Sequence, residues 1–130
     1  MKRQYHLTNG DSDDIAFATT SLTMRILTFS EFKDWLYFVI ERSDEVPNYF
    51  FDILDLEKSF DYTLKVADHL GFWAAWDVSD GELEALRGIG FKRFSNFHSD
   101  ASNRKSALAA LEANPRVEEK FREMFPFIEF

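Results

Sequence analysis

The sequence predicts an all-α fold, a compact irregular bundle of six to seven short helices. Three observations carry this. Two capping boxes each lead into an apolar stretch, apolar residues recur at three- and four-residue spacing, and 5 Gly with 3 Pro in 130 residues leave few breaks. A minor strand or loop is expected near residues 91–97. No internal repeat or linker is visible, so one helical domain over residues 1–130 is expected.

The first ten residues are polar and read as irregular. Asp11 or Ser12 then caps a helix in which Ile15, Ala18, Thr19, Leu22 and Ile26 share a face. Thr19, Thr20 and Thr23 pull against it, because β-branched residues also suit strands. The next helix is the best signed. In Thr28-Phe29-Ser30-Glu31 the Thr28 hydroxyl can accept the Glu31 amide while the carboxylate reaches back, with Leu27 and Phe32 at the staple positions. Phe32, Trp35, Leu36 and Val39 form its inward face, and Tyr37, Phe38 and Ile40 make it apolar nearly all round, which places it centrally. It must end before Pro47, which disfavours helical geometry at Val46.

Asn48 to Leu56 reads as a short helix anchored by Tyr49, Phe50, Ile53 and Leu54. Another from about Ser59 groups Phe60, Leu64, Ala67 and Leu70 and stops at Gly71. Ser79-Asp80-Gly81-Glu82 is the second capping box and opens a helix through Leu83, Leu86 and Ile89, whose end Gly88 and Gly90 should fray. Asp100 or Ser102 starts a helix through Ala107, Leu108 and Leu111. Pro115 begins the last one, with Val117, Phe121 and Met124 inward, and Pro126 stops it.

The composition is that of a globular chain, 45% hydrophobic and 29% charged, and is unusually rich in rings, with 15 Phe, 4 Tyr and 3 Trp. Each buried Phe is worth roughly 1.5–3 kcal/mol by transfer, so the core needs no staples. The absence of Cys excludes disulfides, thiolate metal sites and a cysteine nucleophile. The longest apolar run, Trp35 to Ile40, falls far short of the ~20 residues that span a bilayer. With no targeting signal behind Met1-Lys2-Arg3, a soluble cytoplasmic protein is expected.

The formal net charge is −8, unevenly placed. Residues 1–84 hold 17 acids and 7 bases, and residues 85–130 hold 6 and 8. An acidic front argues against nucleic acid, whose affinity is dominated by phosphate attraction, and for steering toward a basic partner.

Enzyme and metal signatures fail where they can be tested, and no cofactor is expected. His6, His69 and His98 are scattered without paired-ligand spacing. Gly88-Ile89-Gly90 lacks the third glycine of a dinucleotide loop and reads as a helix stop. A twelve-residue calcium loop counted from Asp77 puts Glu82 where Gly is needed and Gly88 where Glu is needed. Phe91 to His98 mixes bases with rings, as single-strand binders do, but equally describes an edge segment with its Phe residues inward.

Surfaces remain. Tyr49, Asp52, Asp55, Glu57, Asp61, Trp73, Trp76, Asp77, Asp80 and Glu82 are the candidate partner-binding residues. Exposed rings would anchor a partner and carboxylates would complement its charge. The same rings serve equally well as core between helices, and the same acids as a solvated face.

Leu27-Thr28-Phe29-Ser30-Glu31-Phe32-Lys33-Asp34-Trp35, followed by Asp44-Glu45-Val46-Pro47-Asn48-Tyr49-Phe50-Phe51-Asp52-Ile53, resembles the bacterial immunity proteins of contact-dependent growth inhibition and other polymorphic toxin systems. The likeness spans roughly residues 20–75. It consists of a capped aromatic helix, an acidic turn ending in Pro, and a short helix that begins with rings. It implies a monomer, or a 1:1 complex with a basic toxin domain, often a nuclease, whose active site or substrate path is blocked. It carries no site residue across. The rival expectations are a small regulatory adaptor or chaperone-like module, and, last, a small enzyme with paired carboxylates in a cleft.

Overall fold

The computed structural model describes residues 4–130, which form eight α-helices. Among the described residues there is no strand, and the single isolated bridge joins Thr8 to Asp11. The fold is all-α, as expected. The chain forms two units: unit 1 takes residues 1–23 and 27–77, and unit 2 takes residues 24–26 and 78–130.

In unit 1, α1 (Asp13–Thr23) is preceded by Ser12, whose carbonyl accepts from the Ala16 amide at 2.9 Å but whose side chain does not bond the first turn. Its first amides are satisfied by backbone instead, since the His6 carbonyl accepts from Asp14 at 3.1 Å and from Ile15 at 3.3 Å. The Ser12 hydroxyl is engaged elsewhere, at Ala75. The helix ends at Thr23, so Ile26 lies beyond it.

α2 (Phe29–Arg42) has the predicted capping box: the Glu31 amide donates to Thr28 Oγ1 at 3.1 Å and the Thr28 amide to Glu31 Oε1 at 2.9 Å. Phe32, Trp35, Leu36 and Val39 are wholly buried. Tyr37 is exposed, so the helix is central on one face only. α3 (Tyr49–Leu54) buries Tyr49, Phe50 and Ile53.

The stretch expected as one helix from Ser59 is two, α4 (Ser59–Thr63) and α5 (Val66–Leu70), which raises the count to eight. The break is at Lys65, whose φ of −140° and ψ of 44° are not helical. α4 turns Tyr62 inward, so the opposite stripe of Phe60 and Leu64 is exposed rather than anchoring. Gly71 ends α5 in the left-handed region, φ 85°, as expected of a C-terminal glycine.

The core of unit 1 is a network of rings. Phe32 meets Trp35 at 5.9 Å and Tyr62 at 5.4 Å, Trp35 meets Phe50 at 6.0 Å, and Tyr49 meets Phe50 at 5.4 Å and Phe72 at 6.1 Å. Tilted and edge-on pairs at these distances add about 0.5–1.5 kcal/mol each beyond area burial.

In unit 2, α6 (Asp80–Arg93) carries the second capping box, Ser79 with Glu82. α7 (Arg104–Ala113) is capped neither by Asp100 nor by Ser102 but by Asn103, one residue beyond Ser102, which accepts from the Ser106 amide at 2.9 Å. α8 (Pro115–Met124) opens on Pro115.

One expectation for α6 is overturned, and the loop expected near residues 91–97 is present over 94–97. The helix does not fray at Gly88 or Gly90 but runs on to Arg93. Both glycines are buried because neighbours occupy the space of their missing side chains. A Cβ on Gly88 would stand 2.6 Å from the Ala107 carbonyl oxygen, and one on Gly90 would stand 2.4 Å from the Phe97 ring. Residues 91–97 are therefore the last helical turn followed by a turn closed by Phe97 N–H on the Phe94 carbonyl, with Phe97 edge-on to Phe91 at 4.9 Å. Beyond α8, Phe125 and Ile128 return to the core of unit 2 and Phe130 covers Phe121 at 5.7 Å.

Candidate protein-binding surface

A surface that binds protein needs large apolar side chains in water and a charge pattern that selects partners. Among the described residues six large hydrophobic side chains are exposed: Tyr37, Phe51, Phe60, Leu64, Trp73 and Phe127. The first five belong to unit 1. Unit 1 also holds 14 acids against 6 bases, a net of −8, whereas unit 2 holds 9 of each and is neutral. All of the chain's formal charge thus sits with most of its exposed apolar bulk.

Local sequence explains why these groups face out. A six-residue helix such as α3 buries one stripe, and Tyr49, Phe50 and Ile53 fill it, which leaves Phe51 and Asp52 in water. α4 repeats the arrangement with Tyr62 inward and Phe60 (62% exposed), Asp61 and Leu64 (76%) outward. Asp55 and Glu57 lie exposed on the connection, which Lys33 of α2 fastens by donating to the Leu56 carbonyl. α5 is tied to α4 by His69 Nε2, 2.5 Å from the Asp61 carbonyl oxygen.

Residues 71–77 run without helix or strand, and exposure alternates strictly along them. Phe72, Ala74 and Trp76 are half-buried, while Trp73, Ala75 and Asp77 are exposed. Trp76 lies edge-on to Phe17 at 5.1 Å and its indole N–H donates to Thr20 Oγ1 at 3.3 Å. Trp73, 86% exposed, is the most open large hydrophobic residue described.

The candidate residues therefore divide. Asp52, Asp55, Glu57, Asp61, Trp73 and Asp77 are exposed in unit 1. Tyr49 is in the core, only 6% exposed, and its hydroxyl donates to the Leu7 carbonyl at 2.5 Å. Trp76 is mainly a packing residue. Asp80 and Glu82 belong to unit 2, where Asp80 is exposed and the Glu82 carboxylate is spent on the Ser79 amide at 3.1 Å. Sequence reasoning assigned Phe60 and Leu64 to the core. The signal that could have placed them outside is Tyr62, since a five-residue helix cannot bury both sides.

Unit 2 has a groove of about 560 Å³ with Leu108, Leu111 and Pro115 along it. Along it Glu118 accepts from Lys92 at 2.8 Å and from Arg122 at 3.1 Å, and these bonds hold its carboxyl below the usual range. Arg104 donates to the Phe91 carbonyl at 3.0 Å. On α6, the Glu84 carboxyl is also lowered, first by the Ser102 hydroxyl and further by Ser106 and Arg87. Among the described residues no group of three or more His, Asp or Glu is placed to hold a metal ion, and no helix is long and apolar enough to cross a membrane. No family model, curated protein or solved structure matches this chain.

Proposed function

We propose that the protein is an immunity protein that binds a co-encoded antibacterial toxin, a basic domain of nuclease type, and covers its active site or substrate path. The observation that carries this reading is the coincidence, in unit 1, of a net charge of −8 with five of the six large hydrophobic residues exposed among the described residues. The resemblance over residues 20–75 supports it, because that stretch lies almost entirely in the same unit.

The physical logic is inhibition by contact. A nuclease groove is built to attract phosphates, so an acidic protein is drawn to it and arrives fast at low salt. Exposed rings then supply the desolvated contacts that slow release.

The test is co-expression with the product of the neighbouring gene. The expected result is a 1:1 complex that protects cells from that product and weakens with added salt. A chain that neither binds nor protects ends the proposal, and recovery of a housekeeping protein in its place would turn the reading to a regulatory adaptor.

A further inference from the structure

We propose that residues 72–77 form a docking edge on which an extended, lysine- or arginine-rich segment of the partner adds as a strand. The proposal deepens the protein-binding reading of unit 1 and rests on it for the charge of the partner.

Ser12 holds this segment at Ala75. Its hydroxyl accepts the Ala75 N–H at 3.0 Å and donates to the Ala75 carbonyl at 3.2 Å, so one side chain satisfies both backbone groups of one residue. Past the bend at Gly71 and Phe72, the alternating exposure of residues 73–77 is the period of an extended chain. In such a chain the N–H and C=O of one residue point to one edge and those of its neighbours to the other. Ser12 thus closes one edge at Ala75, and the backbone groups of Ala74 and Trp76 face the opposite edge. Among the described residues those groups have no hydrogen-bond partner. Backbone groups shut away from water are almost always paired, so an edge without protein partners is one that water fills. A row of this kind is a template for strand addition.

The outward face selects the occupant. Trp73, Ala75 and Asp77 share it. An open indole is the best ring for a cation, and Asp77 offers a carboxylate four residues along, ~13 Å away at ~3.3 Å per residue. A segment with basic residues four apart meets both. A second copy of this chain would bring another unit of net charge −8 against the first, and is disfavoured.

The probe is a short synthetic peptide in which threonine alternates with arginine, titrated into the full chain. Its twin has proline in place of threonine, which keeps the charge but removes every second N–H and the strand conformation. Binding of the threonine peptide should slow amide exchange at Ala74 and Trp76. The proline twin should bind about tenfold more weakly, and Trp73→Ala should cost about tenfold as a central anchor does. Trp73 is 86% exposed, so that variant keeps its fold. Equal affinity for the twin, unchanged exchange at both amides, or indifference to Trp73→Ala overturns the proposal. So does self-association of the chain that protects the same amides.

The two readings fail separately. Peptide binding of the expected kind without protection against a neighbouring toxin keeps the edge and removes the immunity role. Protection that persists undiminished in Trp73→Ala removes the edge and keeps the role.

Discussion

Thr19 and Tyr62 meet hydroxyl to hydroxyl at 2.8 Å inside unit 1, joining α1 to α4 across 43 residues of sequence. Tyr62 is wholly buried and Thr19 nearly so. Tyr62→Phe leaves the Thr19 hydroxyl without this partner in a dry site, at a cost of about 1–3 kcal/mol. Thr19→Val should cost a similar amount. The double variant should cost less than the sum, with a coupling of about 0.5–1.5 kcal/mol for a bond whose two ends are removed together. Urea midpoints of the four proteins decide it, and strict additivity would mean that the bond contributes nothing.

The same burial fixes a response to alkali. Loss of hydration pushes the phenols of Tyr49 and Tyr62 well above the ordinary value of 10.0; the nearby Tyr62 adds to the shift at Tyr49, and the Thr19 hydrogen bond offsets part of it at Tyr62. Near that ordinary value the unfolded chain releases these protons while the folded chain keeps them. The unfolded state then binds fewer protons, so stability is complete below about pH 10 and falls as pH rises above it. Urea midpoints should drop above about pH 10, less steeply in Tyr62→Phe than in the parent. A parent protein whose midpoint stays level there, or a variant with an unchanged slope, refutes the assignment.

The sequence made those helices legible and left their division obscure, for one physical reason. Capping boxes are local, and Thr28 with Glu31 and Ser79 with Glu82 needed only a three-residue reach, so α2 and α6 could be read directly. The roles of Ser12, Gly88 and Gly90 are set by Ala75, Ala107 and Phe97, all outside the three- to four-residue reach of local helix signals. Locally the Ser12 side chain read as a cap and the glycines as helix stops, whereas the hydroxyl bonds Ala75 and α6 runs on through both glycines. At the candidate surface the acids were legible because carboxylates without partners stay in water. The rings were not, since periodicity alone does not say which stripe of a five-residue helix has room in the core.

Gly88 carries the next prediction. Alanine in a helix interior normally gains about 1 kcal/mol over glycine. Here the new Cβ would meet the Ala107 carbonyl oxygen at 2.6 Å and Leu111 Cβ at 3.0 Å, and α7 must move. Overpacking of that kind costs about 1–3 kcal/mol, so Gly88→Ala should destabilise. Gly81→Ala on the same helix meets nothing closer than Asn114 Nδ2 at 3.6 Å and should be neutral or stabilising. Thermal midpoints compare the pair. A stabilising Gly88→Ala would show that α6 and α7 do not approach this closely.

Asp52, Asp55, Glu57 and Asp61 supply the last test, because their side chains are exposed and none has an ion-pair partner among the described residues. Exposed groups without partners contribute little to folding, so reversing each to Lys should leave stability within about 0.5 kcal/mol per site. Reversing all four removes the negative excess of the chain and hence the long-range pull on a basic protein. With the neighbouring gene product as partner, the association rate should fall steeply at low salt while dissociation changes little. The gap should narrow as salt rises, since screening shortens the reach of charge to about 10 Å at 0.1 M. A salt-independent loss would place these carboxylates inside a dry contact. An unchanged rate would reduce them to a solvated face, and the charge of unit 1 would then have no part in choosing the partner.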